Sequence, residues 1–390
     1  MGKTNQLKFS SIMMRKIISV FRLQPDYANR VFGLDLMRAL AIIIVVLEHG
    51  TLLLEKANTD FPWIPLIDGV EMFFVLSGFL IGGILIKIFE KSDSFGVNDI
   101  FNFWIRRWFR TLPNYYLVLA LNIVIVYFGI IKEDFNQFSW KFFLFLQNFT
   151  QPFTGFFWES WSLSVEEWFY LLFPVVLLIV YSTMNKISRY SKKAVFLISV
   201  CIFLFIPLLL RLFIASKFEV DNFWMETRIF KVVIFRLDGI AFGLLAAFIK
   251  HQYTAIWQKW NNISFISGVI LCFVILYTDW PSDSWFTKVF KILIQSMAFF
   301  LLLPKFDSMK LAPDILKRVV THISLISYSM YLINLALVAE VIKNNFPPNE
   351  AKSAWFLYAV YWLMVVLIST LIYKYYEKPL MDLRDRFKSK

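Results

Sequence analysis

Long apolar runs recur down the chain, near residues 35–54, 67–89, 111–131, 161–182, 194–214, 229–249, 262–280, 286–303, 319–342 and 354–376, with short polar or basic connectors between them. A helix needs about 20 consecutive apolar residues to cross the hydrocarbon core of a bilayer, and it satisfies its own backbone polar groups while doing so. The pattern therefore predicts an all-α, polytopic integral membrane protein with about ten transmembrane helices. The least typical runs are 161–182, which carries Glu166 and Glu167 near its start, and 286–303, which carries Lys288 and Lys291. Phe138–Phe149 is apolar but too short to cross, and reads as re-entrant or interfacial. No repeat, low-complexity tract or flexible linker divides the chain, so residues 34–378 form one membrane domain between a basic segment at 1–33 and a basic tail at 379–390.

Ionisable residues break the apolar pattern most conspicuously in the first run, LDLMRALAIIIVVLEHGTLLL from Leu34, which holds Arg38, Glu48 and His49. Eleven helical steps bring His49 back to within about 20° of the face of Arg38, roughly 16 Å further along the axis. Glu48 points about 100° away from His49. Charged groups at membrane depth are costly unless they face a protein interior or a wet cavity, so Arg38 and His49 mark a functional site by default.

Only 17% of residues are charged, against 58% hydrophobic, and the net charge is +12. That balance excludes an ordinary soluble globular domain. A nucleic-acid binder would gather Lys and Arg into one patch, whereas here they alternate along the connectors. Lys87, Lys91, Arg106, Arg107 and Arg110 follow the second run, Lys186, Arg189, Lys192 and Lys193 the fourth, and Lys305, Lys310, Lys317 and Arg318 the eighth, with fewer cations in the intervening connectors. Cytoplasmic loops carry such an excess, so ten spans with both termini cytoplasmic are self-consistent. The lipid bilayer is the implied partner and no nucleic acid is. Residues 1–30 lack an apolar core long enough for a signal peptide, and the first run is expected to be retained as a span. Residues 8–23 mix Lys8, Arg15, Lys16 and Arg22 with Ile12, Ile17, Ile18 and Phe21, a pattern shared by a basic amphipathic helix on an anionic leaflet and by a frayed tail. Cys201 and Cys272 both fall in apolar runs and are expected to serve packing.

On this topology Arg38 lies near the cytoplasmic face and His49 in the outer half. The second run passes inward from Asp68-Gly69-Val70-Glu71, and the fourth from Trp161-Ser162-Leu163-Ser164-Val165-Glu166-Glu167. His49, Glu71 and Glu166 are thus predicted to share one layer. A carboxylate beside an imidazole fixes its tautomer and raises its basicity, which would let Glu71 or Glu166 orient His49 as a general base. A purely structural polar network between spans is the competing reading. On the opposite side, Arg107 and Arg110 stand i, i+3 on a helix entering the membrane, where they suit a phosphate-bearing ligand and membrane anchoring equally well. Arg236 and Asp238 are expected to form a local or interhelical pair. Tyr328, Tyr331 and Asn334 follow one another at i, i+3, i+6 and would either bind a polar substrate or staple helices. His251 and His322 are read as solvated or capping. No metal-type His/Cys cluster, Walker loop, dinucleotide fingerprint or Gly-x-Ser-x-Gly elbow occurs, so neither a metal nor a tightly bound cofactor is expected.

Six blocks in order resemble the acyltransferase 3 family of membrane O-acyltransferases, over roughly residues 30–380: GLDLMRALAIIIVVLEH, DGVEMFFVLSGFLIGGIL at 68–85, RRWFRTLPNYY at 106–116, WSLSVEEWFYLLFP at 161–174, FRLDGIAFG at 235–243 and ISYSMYLIN at 326–334. The resemblance implies transfer of an acyl group, usually acetyl, from cytoplasmic acyl-CoA to a hydroxyl of a carbohydrate or glycolipid acceptor across the bacterial inner membrane. It places Arg38 and His49 in the family's essential Arg/His pair and Arg107 and Arg110 in its Arg-x-x-Arg element, with His49 as general base or transient acyl carrier. Two departures stand out: Glu71 where Asp is frequent, and Asn334 where many members have His. A transporter or flippase of a polar envelope precursor is the rival class, since buried charges in a ten-span protein suit a substrate path too; the paired broken repeats common in transporters are not evident.

Overall fold

Every one of the ten apolar runs folds as helix in the computed structural model, which describes residues 23, 25–28, 30–55, 67–91, 94–153, 155–187, 191–217 and 225–384. Apart from Leu23, the 8–23 segment lies outside them. The main helices are α1 (Phe32–Gly50), α2 (Gly69–Lys91), α3 (Val97–Tyr127), α4 (Ser160–Ile187), α5 (Lys192–Ala215), α6 (Leu237–Gln252), α7 (Asn261–Tyr277), α8 (Trp285–Ser308), α9 (Asp314–Ile333) and α10 (Ala351–Ile372). No strand occurs among the described residues, so the all-α membrane architecture holds.

Eight of these segments are long and apolar enough to cross a membrane. The expected count of ten is reduced by α6 and α7, with 16 and 17 residues. For α6 the cause is local: the run at 229–249 begins with a π turn at Glu226–Phe230 and a 3-10 turn at Val233–Phe235, and regular helix starts only at Leu237. Such backbone is tolerated at membrane depth where protein covers it. Here the Asn148 amide donates to the Lys231 carbonyl at 2.6 Å, and the Val233 N–H donates to the Asn148 carbonyl at 3.0 Å. The short apolar run Phe138–Phe149 does not cross; it forms a 3-10 turn at Trp140–Leu144 and then the loop that provides this cover.

In contrast, α3 starts well before its apolar run, at Val97, and so carries Arg106, Arg107 and Arg110 on one continuous helix. Helices α2 and α6 run parallel and in backbone contact. A Cβ on Gly78 would fall 1.9 Å from the Ile240 carbonyl oxygen, and one on Gly243 would fall 2.1 Å from that of Val75. Small residues are what permit such an approach between membrane helices. At the far end α9 passes into a π-helical stretch, Asn334–Glu340, which brings the backbone past the C-terminal end of α1.

Candidate active site

Two hollows meet inside the helix bundle. The first is a narrow pocket of about 90 Å³ that includes Arg38, Ser77, Arg107, Arg110, Ser162, Glu166 and Tyr328 in its lining. The second is an open cavity of about 1160 Å³ whose lining includes His49, Asp68, Glu133, Glu159, Lys231 and Arg236. Val70 and Tyr331 line both, so the hollows adjoin at these two residues, called the neck below. Residues of the cavity come from the ends of α1, α7 and α9, the starts of α2 and α8, and the segments before α4 and α6. All five odd-to-even connections thus contribute to one cavity.

The first helix places Arg38 in the pocket and His49 in the cavity, as the spacing predicts, and Glu48 lines the cavity as well. Helix α9 runs beside it in the same direction. Its middle is tied by the Ser324 hydroxyl donating to Asp35 at 2.9 Å, and its end by Asn334 at His49. Along α9, Tyr328 lines the pocket, Tyr331 the neck, and Asn334 supports the histidine.

The protonation of His49 follows from that support. The Asn334 amide donates to the carbonyls of Met330 at 3.0 Å and Tyr331 at 2.8 Å, which leaves its oxygen for the His49 Nδ1 at 2.6 Å. An amide oxygen only accepts. Nδ1 must therefore carry the proton, and the Nε2 lone pair is free to act as a base.

Glu71 and Glu166 do not stand beside the imidazole, contrary to the shared layer predicted from the sequence. Glu71 is fully buried, accepts from Arg236 at 2.5 Å and from the Ser296 hydroxyl, and lines neither hollow. Val70 takes the face toward the neck, and its neighbour Glu71 is turned about 100° from it, toward α6. Glu166 is the seventh residue of α4, roughly 9 Å below the helix start. That depth puts it in the arginine pocket, bonded to the Ser77 and Tyr170 hydroxyls. The orienting partner of His49 is Asn334 instead.

The pocket gathers Arg38, Arg107 and Arg110, and among the described residues none of the three forms a salt bridge. The Arg107 guanidinium lies 4.3 Å from the centre of the Tyr170 ring. Three guanidinium groups against the single lining carboxylate of Glu166 leave a cationic pocket at membrane depth, which suits an anion. Arg236 joins the cavity, held by Glu71 and by the Phe230 carbonyl at 2.9 Å. It does not pair with Asp238, which binds Arg211 of α5. His251 meets Glu90 and His322 meets Thr370, both away from the two hollows.

Glu159 is a cavity residue that sequence reasoning missed. It precedes the WSLSVEEWF block in a loop, where helical spacing carries no information. A chain turn at Phe157, with φ 50°, directs it inward; such a φ is unfavourable for a bulky residue and marks a constrained site. Burial pushes its carboxyl up to about 8, against hydrogen bonds from backbone N–H groups, Ala336 foremost, that pull the other way. Glu133 is likewise raised by burial to about 7. The folded chain therefore binds the Glu159 proton more tightly than the unfolded chain, whose carboxyl titrates near 4.5, and stability falls as pH rises between these values. Detergent-solubilised protein is expected to melt higher at pH 5 than at pH 8, and Glu159→Gln to show a weaker dependence. An equal dependence in both would remove Glu159 from the cause.

Residues 31–374 match the sequence model of the acyltransferase 3 family, described as an acyltransferase domain. The chain belongs to the acyltransferase 3 family. Among curated proteins it is similar to a putative O-acetyltransferase of Staphylococcus aureus strain COL, 27% identical over 372 residues, which cover 89% of this chain and 56% of the relative. The O-acetyltransferase OatA of Staphylococcus aureus strain NCTC 8325 is 25% identical over 386 residues, covering 92% of this chain and 58% of OatA. The chain thus spans little more than half the length of these acyltransferase 3 relatives. No solved structure matches it.

Proposed function

We propose that the protein is a membrane O-acyltransferase that moves an acyl group, acetyl in the first instance, from acyl-CoA to a hydroxyl of a carbohydrate or glycolipid. The observation that carries this reading is the end-to-end meeting of an arginine pocket and a histidine cavity at Val70 and Tyr331. Arg38, Arg107 and Arg110 would hold the phosphates of coenzyme A. The pantetheine arm would reach the neck along the roughly 16 Å that separate Arg38 from His49 on the helix.

The acceptor enters the wide cavity, where Arg236 offers a cationic contact. Its hydroxyl gives its proton to His49 Nε2 while the oxygen attacks the thioester carbonyl. The carbon–sulfur bond then breaks and the His49 proton passes to the sulfur, releasing the ester and coenzyme A. If Nε2 itself attacks the thioester first, an acyl-His49 adduct forms, and mass spectrometry after rapid quench with acyl-CoA alone distinguishes the two orders.

Acyl-CoA is cytoplasmic, so this reading puts the arginine pocket and both termini on the cytoplasmic side of the bacterial inner membrane and the cavity on the other. The basic connectors fall on the pocket side, as the positive-inside rule asks. Purified protein in nanodiscs is expected to bind acetyl-CoA, and Arg107→Gln to weaken binding by about tenfold or more, the scale of a lost charged hydrogen bond. A wild-type protein without affinity for acetyl-CoA would favour a transport function over this one.

A further inference from the structure

The proton in the transfer leaves the acceptor, visits His49 and ends on the coenzyme A sulfur, so no second acid or base is required in the cavity. Yet Glu159 is built into the same wall with care for its position. It is 1% exposed, and its Oε1 accepts from the Ala336 N–H at 2.9 Å. That N–H belongs to the π-helical stretch Asn334–Glu340, whose wider turn alters the backbone pairing at a site of this kind. The other oxygen, Oε2, is buried and has no hydrogen-bond partner among the described residues.

Buried polar atoms are seldom left unpaired, and an exception in a cavity wall points to a missing ligand. Two residues before Ala336, Asn334 fixes the imidazole of His49. A single turn of backbone therefore holds both the base and the unpaired carboxyl, and both residues face one cavity. With the Glu159 carboxyl held up at about 8 by burial, Oε2 can carry a proton at neutral pH and serve as donor or acceptor. Asp68, Glu133 and Gln137 add further hydroxyl-binding groups to the same lining.

We propose that Glu159 Oε2 hydrogen-bonds a second hydroxyl of the acceptor, beside the hydroxyl that His49 activates, so that the cavity selects polyols such as sugar rings over monohydric alcohols. The proposal rests on the acyl-transfer reading above. Glu159 would then bind and align the acceptor without taking part in proton transfer.

The test uses the full chain in nanodiscs with acetyl-CoA as donor and the producing cell's envelope glycan, de-esterified with mild alkali, as acceptor. Glu159→Ala is expected to raise the acceptor KM about tenfold or more, the effect of one lost hydrogen bond to a buried group, with kcat and the acetyl-CoA KM within about twofold. Glu159→Gln keeps an oxygen for Ala336 and a hydrogen-bonding group in the cavity, and is expected to retain the wild-type acceptor KM. With glycerol and propan-1-ol as small acceptors, the wild type is expected to prefer glycerol and Glu159→Ala to lose the preference. A fall in kcat at unchanged acceptor KM would show that Glu159 only props the Asn334 turn, and unchanged constants would remove it from the site; either result overturns the proposal while leaving acyl transfer intact. A wild type that neither binds acetyl-CoA nor acylates any acceptor overturns the acyl-transfer reading, and this proposal with it.

Discussion

Replacing His49 with alanine is expected to lower acyl transfer by about 10²–10⁴-fold while acetyl-CoA binding stays near the wild-type level. The split follows from geometry. His49 lines the wide cavity, and Arg38, Arg107 and Arg110 line the narrow pocket, with only Val70 and Tyr331 in common. Removing the imidazole deletes the proton acceptor without touching a guanidinium. It also leaves the Asn334 oxygen a second contact, the Tyr361 hydroxyl at 3.4 Å, so the π-helical stretch keeps part of its anchoring. Transfer measured in membranes against acetyl-CoA binding by the same purified variant checks both halves. Near-normal transfer would take His49 out of the chemistry, and parallel loss of donor binding would mean that the two hollows are not independent.

The first helix was legible because its message is carried by one periodicity. Arg38 and His49 lie eleven residues apart on a single element, and an α-helix converts that spacing into a shared face and a depth without reference to any other segment. The face of Tyr328, Tyr331 and Asn334 was readable for the same reason. Partners across elements were not. Glu71 and its arginine are 165 positions apart, and His49 and Asn334 are 285 apart, so their pairing depends on helix rotations that no local pattern records. Glu166 was misplaced by a smaller error: counting it as the head of its span ignored six residues of helical rise. Glu159 was invisible because its orientation is set by a left-handed turn at Phe157, and turns of that kind at a phenylalanine have no sequence signature. Asn334 shows the converse, a departure from the family pattern when viewed alone that becomes the hydrogen-bond partner of His49 once α9 is laid beside α1.

Asp238→Ala is expected to destabilise the fold by about 3–5 kcal/mol, because it strands a charge in the interior. Arg211 and Asp238 are both without solvent exposure and pair through two contacts, at 2.5 and 3.1 Å. The same guanidinium donates to the carbonyls of Phe235 and, at 3.2 Å, Val289. One side chain of α5 thereby fixes the irregular turn before α6 and the flank of α8. With total stabilities of roughly 5–15 kcal/mol, loss of the carboxylate should leave little folded protein on extraction, read as a collapsed monodisperse peak in size-exclusion chromatography and a lower melting temperature. The double variant Arg211→Met, Asp238→Leu separates two causes. A buried pair replaced by apolar side chains of similar volume is often neutral or stabilising, so the double variant is expected to regain most of the melting temperature. Its transfer rate then reports on position alone. Arg236 follows directly on the Phe235 carbonyl that Arg211 holds, and its other side is held by Glu71. A stable double variant with reduced transfer would mean that the Arg211–Asp238 pair exists to aim Arg236 into the cavity, whereas full activity would assign the pair to fold specificity alone.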